Sequence, residues 1–163
     1  SEEGHGTTIK IYIPRSDAAH QDRVEQTLRN KVIPGGDETI LLVEDEDGVR
    51  DVAISLLSSI GYDVLHADCG SRALEIISER DDIDLLFTDI VMPGGMNGTE
   101  LAQLALEKNP KLRVLYTSGY TGTTVFDNEL LEHGSEMLNK PYRQEELAQS
   151  VRNVLDRDKI HDT

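Results

Sequence analysis

Four short stretches of the chain end in side chains that could do chemistry together. Leu85-Leu86-Phe87-Thr88-Asp89 runs apolar residues into a carboxylate, and Pro93-Gly94-Gly95 breaks the chain soon after. Val43-Glu44-Asp45 ends a second apolar run in two acids. Thr117 closes a third run, and Lys140-Pro141 follows a fourth. An acid at the end of a buried strand costs roughly several kcal/mol unless something pairs with it. The open carboxyl edge of a parallel sheet, where α/β folds place ligands, provides such a position. Carboxylates from different strands repel unless a cation neutralises them. An all-oxygen set suits Mg²⁺, which keeps several waters and leaves a place for a phosphate. In that setting Asp89 is a nucleophile toward phosphorus. The metal and Lys140 neutralise the transferring group, and the Thr117 hydroxyl donates to a phosphoryl oxygen.

Convergence of these residues requires a particular set of elements. From Glu38 onward strands and helices alternate. Strands are predicted over Thr39–Val43, Tyr62–Ala67, Asp84–Thr88, Arg113–Thr117 and Glu136–Leu138. Helices are predicted over Asp47–Ile60, Ser71–Arg80, Gly98–Lys108, Val125–Glu132 and Gln144–Asp156. The first helix would turn Val49, Val52, Ala53, Leu56, Leu57 and Ile60 inward, with Asp47 as its cap. Five strands alternating with five helices imply a flavodoxin-like, doubly wound parallel sheet with right-handed crossovers and strand order 2-1-3-4-5. In that order strands one, three, four and five bring Glu44, Asp45, Asp89, Thr117 and Lys140 to one edge.

Composition bounds the alternatives. At 163 residues, 37% of them hydrophobic, the chain has room for one ordinary domain with appendages. A total of 31 acidic against 16 basic residues gives a net charge of −15, which disfavours nucleic acid or anionic membrane as a partner. Cys69 is the single cysteine, so no internal disulfide forms. No apolar run reaches the roughly 18 residues needed to span a bilayer. A soluble, cytoplasmic protein is expected. His5, His20, His66, His133 and His161 lack metal-ligand spacing. Gly119-Tyr120-Thr121-Gly122-Thr123-Thr124 looks like a phosphate cradle for a flavin nucleotide, but it follows the fourth strand rather than the first.

The stretch Val43-Glu44-Asp45, Thr88-Asp89-Ile90-Val91-Met92-Pro93, Thr117-Ser118-Gly119-Tyr120 and Asn139-Lys140-Pro141 resembles the response-regulator receiver domain, in the family's order and over residues 39–155. The resemblance implies that Asp89 is the phosphoacceptor. It implies that Asp45, Asp89 and the Val91 carbonyl bind Mg²⁺ directly, with Glu44 acting through water. Thr117 would be the switch hydroxyl and Lys140 the phosphate-binding lysine, joined to Pro141 by a cis peptide bond. The expected function is Mg-dependent transfer of a phosphoryl group from a phosphohistidine to Asp89. A histidine kinase or histidine phosphotransfer domain would be the partner, and the surface around the fourth helix, fifth strand and fifth helix would switch. The alternative is a docking module of the same fold that works without phosphorylation. Two departures stand out. Met137 occupies the position where the family often has an aromatic switch residue, so a signal should pass through the backbone of the loop over residues 119–124. The loop from Met92 to Gly98 carries one more glycine than its commonest form.

The front of the chain is different. Thr8 to Ile13 alternates, with Ile9, Ile11 and Ile13 on one face, and Pro14 ends it, as in a half-buried strand. Together with Gly4-His5-Gly6-Thr7 it resembles the last glycine box and final strand of the ATP-binding domain of sensor histidine kinases. The implied organisation is a kinase remnant over residues 1–15 and a linker over 16–37, possible helix included. A receiver comes next over 38–158, with a tail over 159–163. The parent would be a hybrid sensor kinase, and the isoleucine face could mediate self-association.

Overall fold

Where a strand is covered on both faces, its residues are mostly apolar. The computed structural model bears this out in the centre of the sheet. It describes residues 33–93, 95–119 and 135–157, with Lys10 and Tyr12. Five parallel strands form it, in the order β2-β1-β3-β4-β5. They are β1 (Thr39–Val43), β2 (Asp63–Ala67), β3 (Leu85–Asp89), β4 (Arg113–Ser118) and β5 (Glu136–Asn139). Every residue of β1 and β3 is buried, whereas β2 and β5, at the edges, are half open. The order 2-1-3-4-5 is the expected one.

Four helices lie among the described residues: α1 (Asp47–Ser59), α2 (Gly70–Glu79), α3 (Gly98–Lys108) and α4 (Gln144–Asp156). They flank the sheet in pairs. Ala53 and Leu57 of α1 and Leu147, Val151 and Val154 of α4 pack with Ile40, Leu42, Leu85, Phe87 and Leu115. Ala73 and Ile77 of α2 and Leu101 and Ala105 of α3 pack with Leu41, Val43, Leu86, Val114 and Tyr116 on the other face. Fully burying one such large side chain contributes about 1.5–3 kcal/mol, so these two layers hold the sheet edge in place. The helix expected over Val125–Glu132, most of the loop before it, and the elements expected ahead of residue 33 lie outside the described residues, Lys10 and Tyr12 apart. The chain divides into two units after Val32, and the sheet with its four helices belongs to the second. Among the described residues no helix is long and apolar enough to cross a membrane.

Two local expectations change. Glu46, not Asp47, is the N-cap of α1, and its side chain makes no cap bond. Asp47 is already helical, and its carboxylate takes the guanidinium of Arg50 instead. Val52, expected on the inner face, is 58% exposed. It lies one residue, or roughly 100° of helical turn, from the buried Ala53, which carries it off the stripe that meets the sheet.

Candidate functional site

Strand β3 ends at the centre of the sheet, so its last side chain, Asp89, emerges where neighbouring strands can reach it. Backbone register places Thr117 of β4 directly beside Asp89. β1 ends one residue before Glu44, which the Glu44 N–H to Ala67 carbonyl bond ties to the end of β2. β5 ends at Asn139, and the Lys140-Pro141 peptide bond after it is cis, as expected. The Lys140 N–H donates to the Ser118 carbonyl at 2.8 Å, which folds the turn back over β4.

The turn aims the Lys140 ammonium between two acids. Its Nζ lies 2.5 Å from Glu44 Oε2 and 2.5 Å from Asp89 Oδ2. Burial alone would lower the lysine, but its hydrogen bonds and charge interactions with Asp89 and Glu44 outweigh that and hold it above the ordinary lysine value. Glu44 is 3% exposed. Burial pushes it above the usual carboxylate range, with the Lys140 ion pair working in the opposite direction. The other oxygen of Asp89, Oδ1, accepts the Val91 N–H at 3.1 Å. The ring centroid of Tyr142, two residues after Lys140, is 6.2 Å from that of Phe87, and burial pushes its hydroxyl up to about 12.

Thr117 stands out by what its hydroxyl lacks. Its Oγ1 is fully buried and has no hydrogen-bond partner among the described residues. A buried hydroxyl left unpaired costs about 1–3 kcal/mol. Beside Asp89, such a donor is suited to an oxygen that a modified Asp89 would carry.

The loop after Asp89 is built to approach closely. A Cβ on Gly98 would stand 2.0 Å from the Asp89 carbonyl oxygen, so only glycine lets α3 start against the end of β3. Asn97 caps α3 in a capping box with Glu100, and Gly95 has φ +108, which a side chain would strain.

Not every expected residue joins this group. Among the described residues no three of the His, Cys, Asp and Glu side chains stand together as a group able to hold a metal ion. The expected cluster of Glu44, Asp45 and Asp89 is therefore not assembled as three carboxylates. Like charges repel, and a cation of the chain itself, Lys140, pairs with Glu44 and Asp89 instead. Asp45, next in the chain after Glu44, is half-buried, and Val91 is 66% exposed. By donor type the set still fits Mg²⁺: carboxylate oxygens of Glu44, Asp45 and Asp89, with the Val91 carbonyl two residues after Asp89. Met137 pairs with Tyr116 across β4 and β5 and is partly buried against the core.

Sequence reasoning missed two contributors. Arg50 donates from Nη1 to the Glu44 carbonyl at 2.8 Å. Its three-residue helical spacing from Asp47 was the available signal. Tyr142 was visible only as the residue after Lys140-Pro141, since its packing on Phe87 is a tertiary contact.

Residues 40–152 match the family described as the response regulator receiver domain. The chain is 34% identical over 164 residues to the sensor kinase CckA of Brucella abortus. That alignment covers 96% of this chain and 17% of the kinase, so the chain spans a small part of that relative's length. It is 34% identical over 116 residues to the response regulator receiver protein CpdR of the same organism, covering 71% of this chain and 95% of that protein. The crystal structure of the receiver domain from the hybrid histidine kinase CckA superposes with a TM-score of 0.61 at 39% identity. The superposition covers 72% of this chain and 98% of that one. Sequence, sheet order and edge geometry agree, and the chain belongs to the response regulator receiver domain family.

Proposed function

We propose that this chain is the phosphoacceptor of a phosphorelay, taking a phosphoryl group from a phosphohistidine onto Asp89. The observation that carries the reading is the Lys140 ammonium shared by Glu44 and Asp89, with the unpartnered Thr117 hydroxyl in register beside Asp89. An Asp89 carboxylate oxygen attacks phosphorus. The O–P bond forms as the P–N bond breaks, and the electron pair of that bond returns to the ring nitrogen of the donor imidazole. Lys140 balances the charge of the group in transfer. Thr117 donates its hydroxyl to a phosphoryl oxygen of the product. The Val91 N–H orients the carboxylate. Asp45, Asp89 and the Val91 carbonyl would hold Mg²⁺, with Glu44 as an outer acid, and the ion would supply charge neutralisation when bound.

The alignment with a sensor kinase over 96% of the chain extends beyond residues 33–163. This supports a parent that is a hybrid sensor kinase, with residues 1–15 as the end of its ATP-binding domain, 16–37 as linker and 38–158 as receiver. Its partner would be a cytoplasmic phosphohistidine domain. The switched surface would comprise β5, α4 and the helix expected over Val125–Glu132, with Met137 passing the change through backbone rather than through an aromatic rotamer.

Incubation with acetyl phosphate and Mg²⁺, followed by intact-mass measurement, tests the reading. The wild-type chain should gain one phosphoryl group and Asp89→Asn none. Equal labelling of the two would refute the assignment, and no labelling of either would favour docking without phosphorylation.

A further inference from the structure

Arg50 lies outside the group that meets the phosphoryl donor, yet it is bound to the backbone from which two of the acids project. Its side chain is only 13% exposed although it sits in the second turn of a surface helix. An exposed Asp47–Arg50 pair three residues apart on a helix would contribute little to stability and would not require burial. Here the guanidinium divides its donors. One nitrogen holds the Asp47 carboxylate, and the other donates 2.8 Å to the Glu44 carbonyl at the end of β1. The planar fork therefore joins the first turn of α1 to the strand end across the intervening Asp45 and Glu46.

Glu44 is consequently held at three points. Its N–H donates to the Ala67 carbonyl, its carboxylate takes Lys140, and its carbonyl takes Arg50. The carbonyl belongs to the peptide plane shared with Asp45. Anchoring that plane sets the direction in which Asp45 leaves the strand. Asp45 itself has no comparable tether among the described residues. Its orientation depends on the peptide before it and on the helix start after it, and Arg50 binds both.

We propose that Arg50 is a positioning residue that orients the Asp45 carboxylate for divalent-ion binding, acting through the Glu44–Asp45 peptide. This rests on the assignment of Asp45 as a metal ligand under the proposed function. Loss of an outer partner of a metal ligand typically weakens metal binding about 10- to 100-fold.

The test is titration of the full chain with Mg²⁺ alone, followed by amide chemical shifts or calorimetry. Arg50→Met should weaken Mg²⁺ binding about tenfold, while Asp47→Asn, which spares the bond to the Glu44 carbonyl, should stay within about twofold. Arg50→Lys keeps the charge but not the two-armed fork, and should fall between them. In acetyl-phosphate labelling, the Arg50→Met defect should appear as a higher Mg²⁺ requirement, with the maximal rate restored at saturating Mg²⁺. A merely structural role would lower stability without that dependence. Equal Mg²⁺ affinity in wild type, Arg50→Met and Arg50→Lys would overturn the proposal. A wild-type chain that binds no Mg²⁺ would overturn the site reading as well, which separates the two failures.

Discussion

Two half-buried cations stand at opposite ends of the sheet, and they are held very differently. At the amino end, Arg152 of α4 makes a two-pronged pair with Glu38, at 2.9 and 2.7 Å, and reaches Asp156 at 3.0 Å. The same guanidinium lies 5.9 Å from the centre of the Tyr62 ring and contacts the Gly35 carbonyl. Gly36 is packed so closely there that a Cβ would meet Glu38 Oε2 at 2.0 Å. At the carboxyl end, Lys140 is a point charge between two acids, next to a hydroxyl with no partner among the described residues. The first arrangement fixes both terminal nitrogens of Arg152 on carboxylates and ties the segment ahead of β1 to the last helix, although Arg152 Nε and the Tyr62 hydroxyl have no hydrogen-bond partner among the described residues. An unpaired buried donor therefore does not by itself separate the two ends; the difference is a planar fork locked in place by geometry against a rotatable point charge that two acids share beside Thr117.

Removing each cation should separate the two roles. Lys140→Met should lower the rate of phosphoryl uptake from acetyl phosphate by about 10²–10³-fold, the usual loss when one preorganised charge is taken from a transferring group. Labelling tracked over time by intact mass measures it, and a rate within about threefold of wild type would contradict the role given to Lys140. Arg152→Met should do the reverse. It leaves Glu38 without its guanidinium in a half-buried setting and should cost about 2 kcal/mol of stability, less than a fully buried pair because Asp156 is 45% exposed. Urea unfolding monitored by circular dichroism reads that loss, and phosphoryl uptake should remain within about twofold because the sites are far apart and share no partner.

The sharpest form of the contrast is Thr117→Val. If its hydroxyl is an uncompensated cost in the resting fold, removing it should raise the unfolding free energy by about 1 kcal/mol while shortening the lifetime of the aspartyl phosphate. A stability loss instead would mean that the hydroxyl already has a partner.

Much of this arrangement was readable along the chain. The runs ending in Glu44, Asp89 and Thr117, and the Lys140-Pro141 pair, placed each residue at a strand end. Period and turn residues placed the strands and the described helices to within a residue or so of their observed limits. The sequence also showed that Gly98 follows a turn, but not that its missing Cβ lets α3 start against the Asp89 carbonyl. The cap of α1 and the exposure of Val52 were misread, because one residue of helical phase decides which side chain faces the sheet.

By itself, then, the amino-acid sequence determined which elements form, in what order, and which polar residues stand at their ends, because these depend on local periodicity and turn chemistry. Tertiary structure alone decided the pairing. Lys140 rather than a three-carboxylate cluster neutralises Glu44 and Asp89, Thr117 is left unpartnered among the described residues, and Arg50 reaches back to the Glu44 carbonyl. Those outcomes depend on distances between residues as many as 96 positions apart, which are set only when the strands pair and both faces are covered.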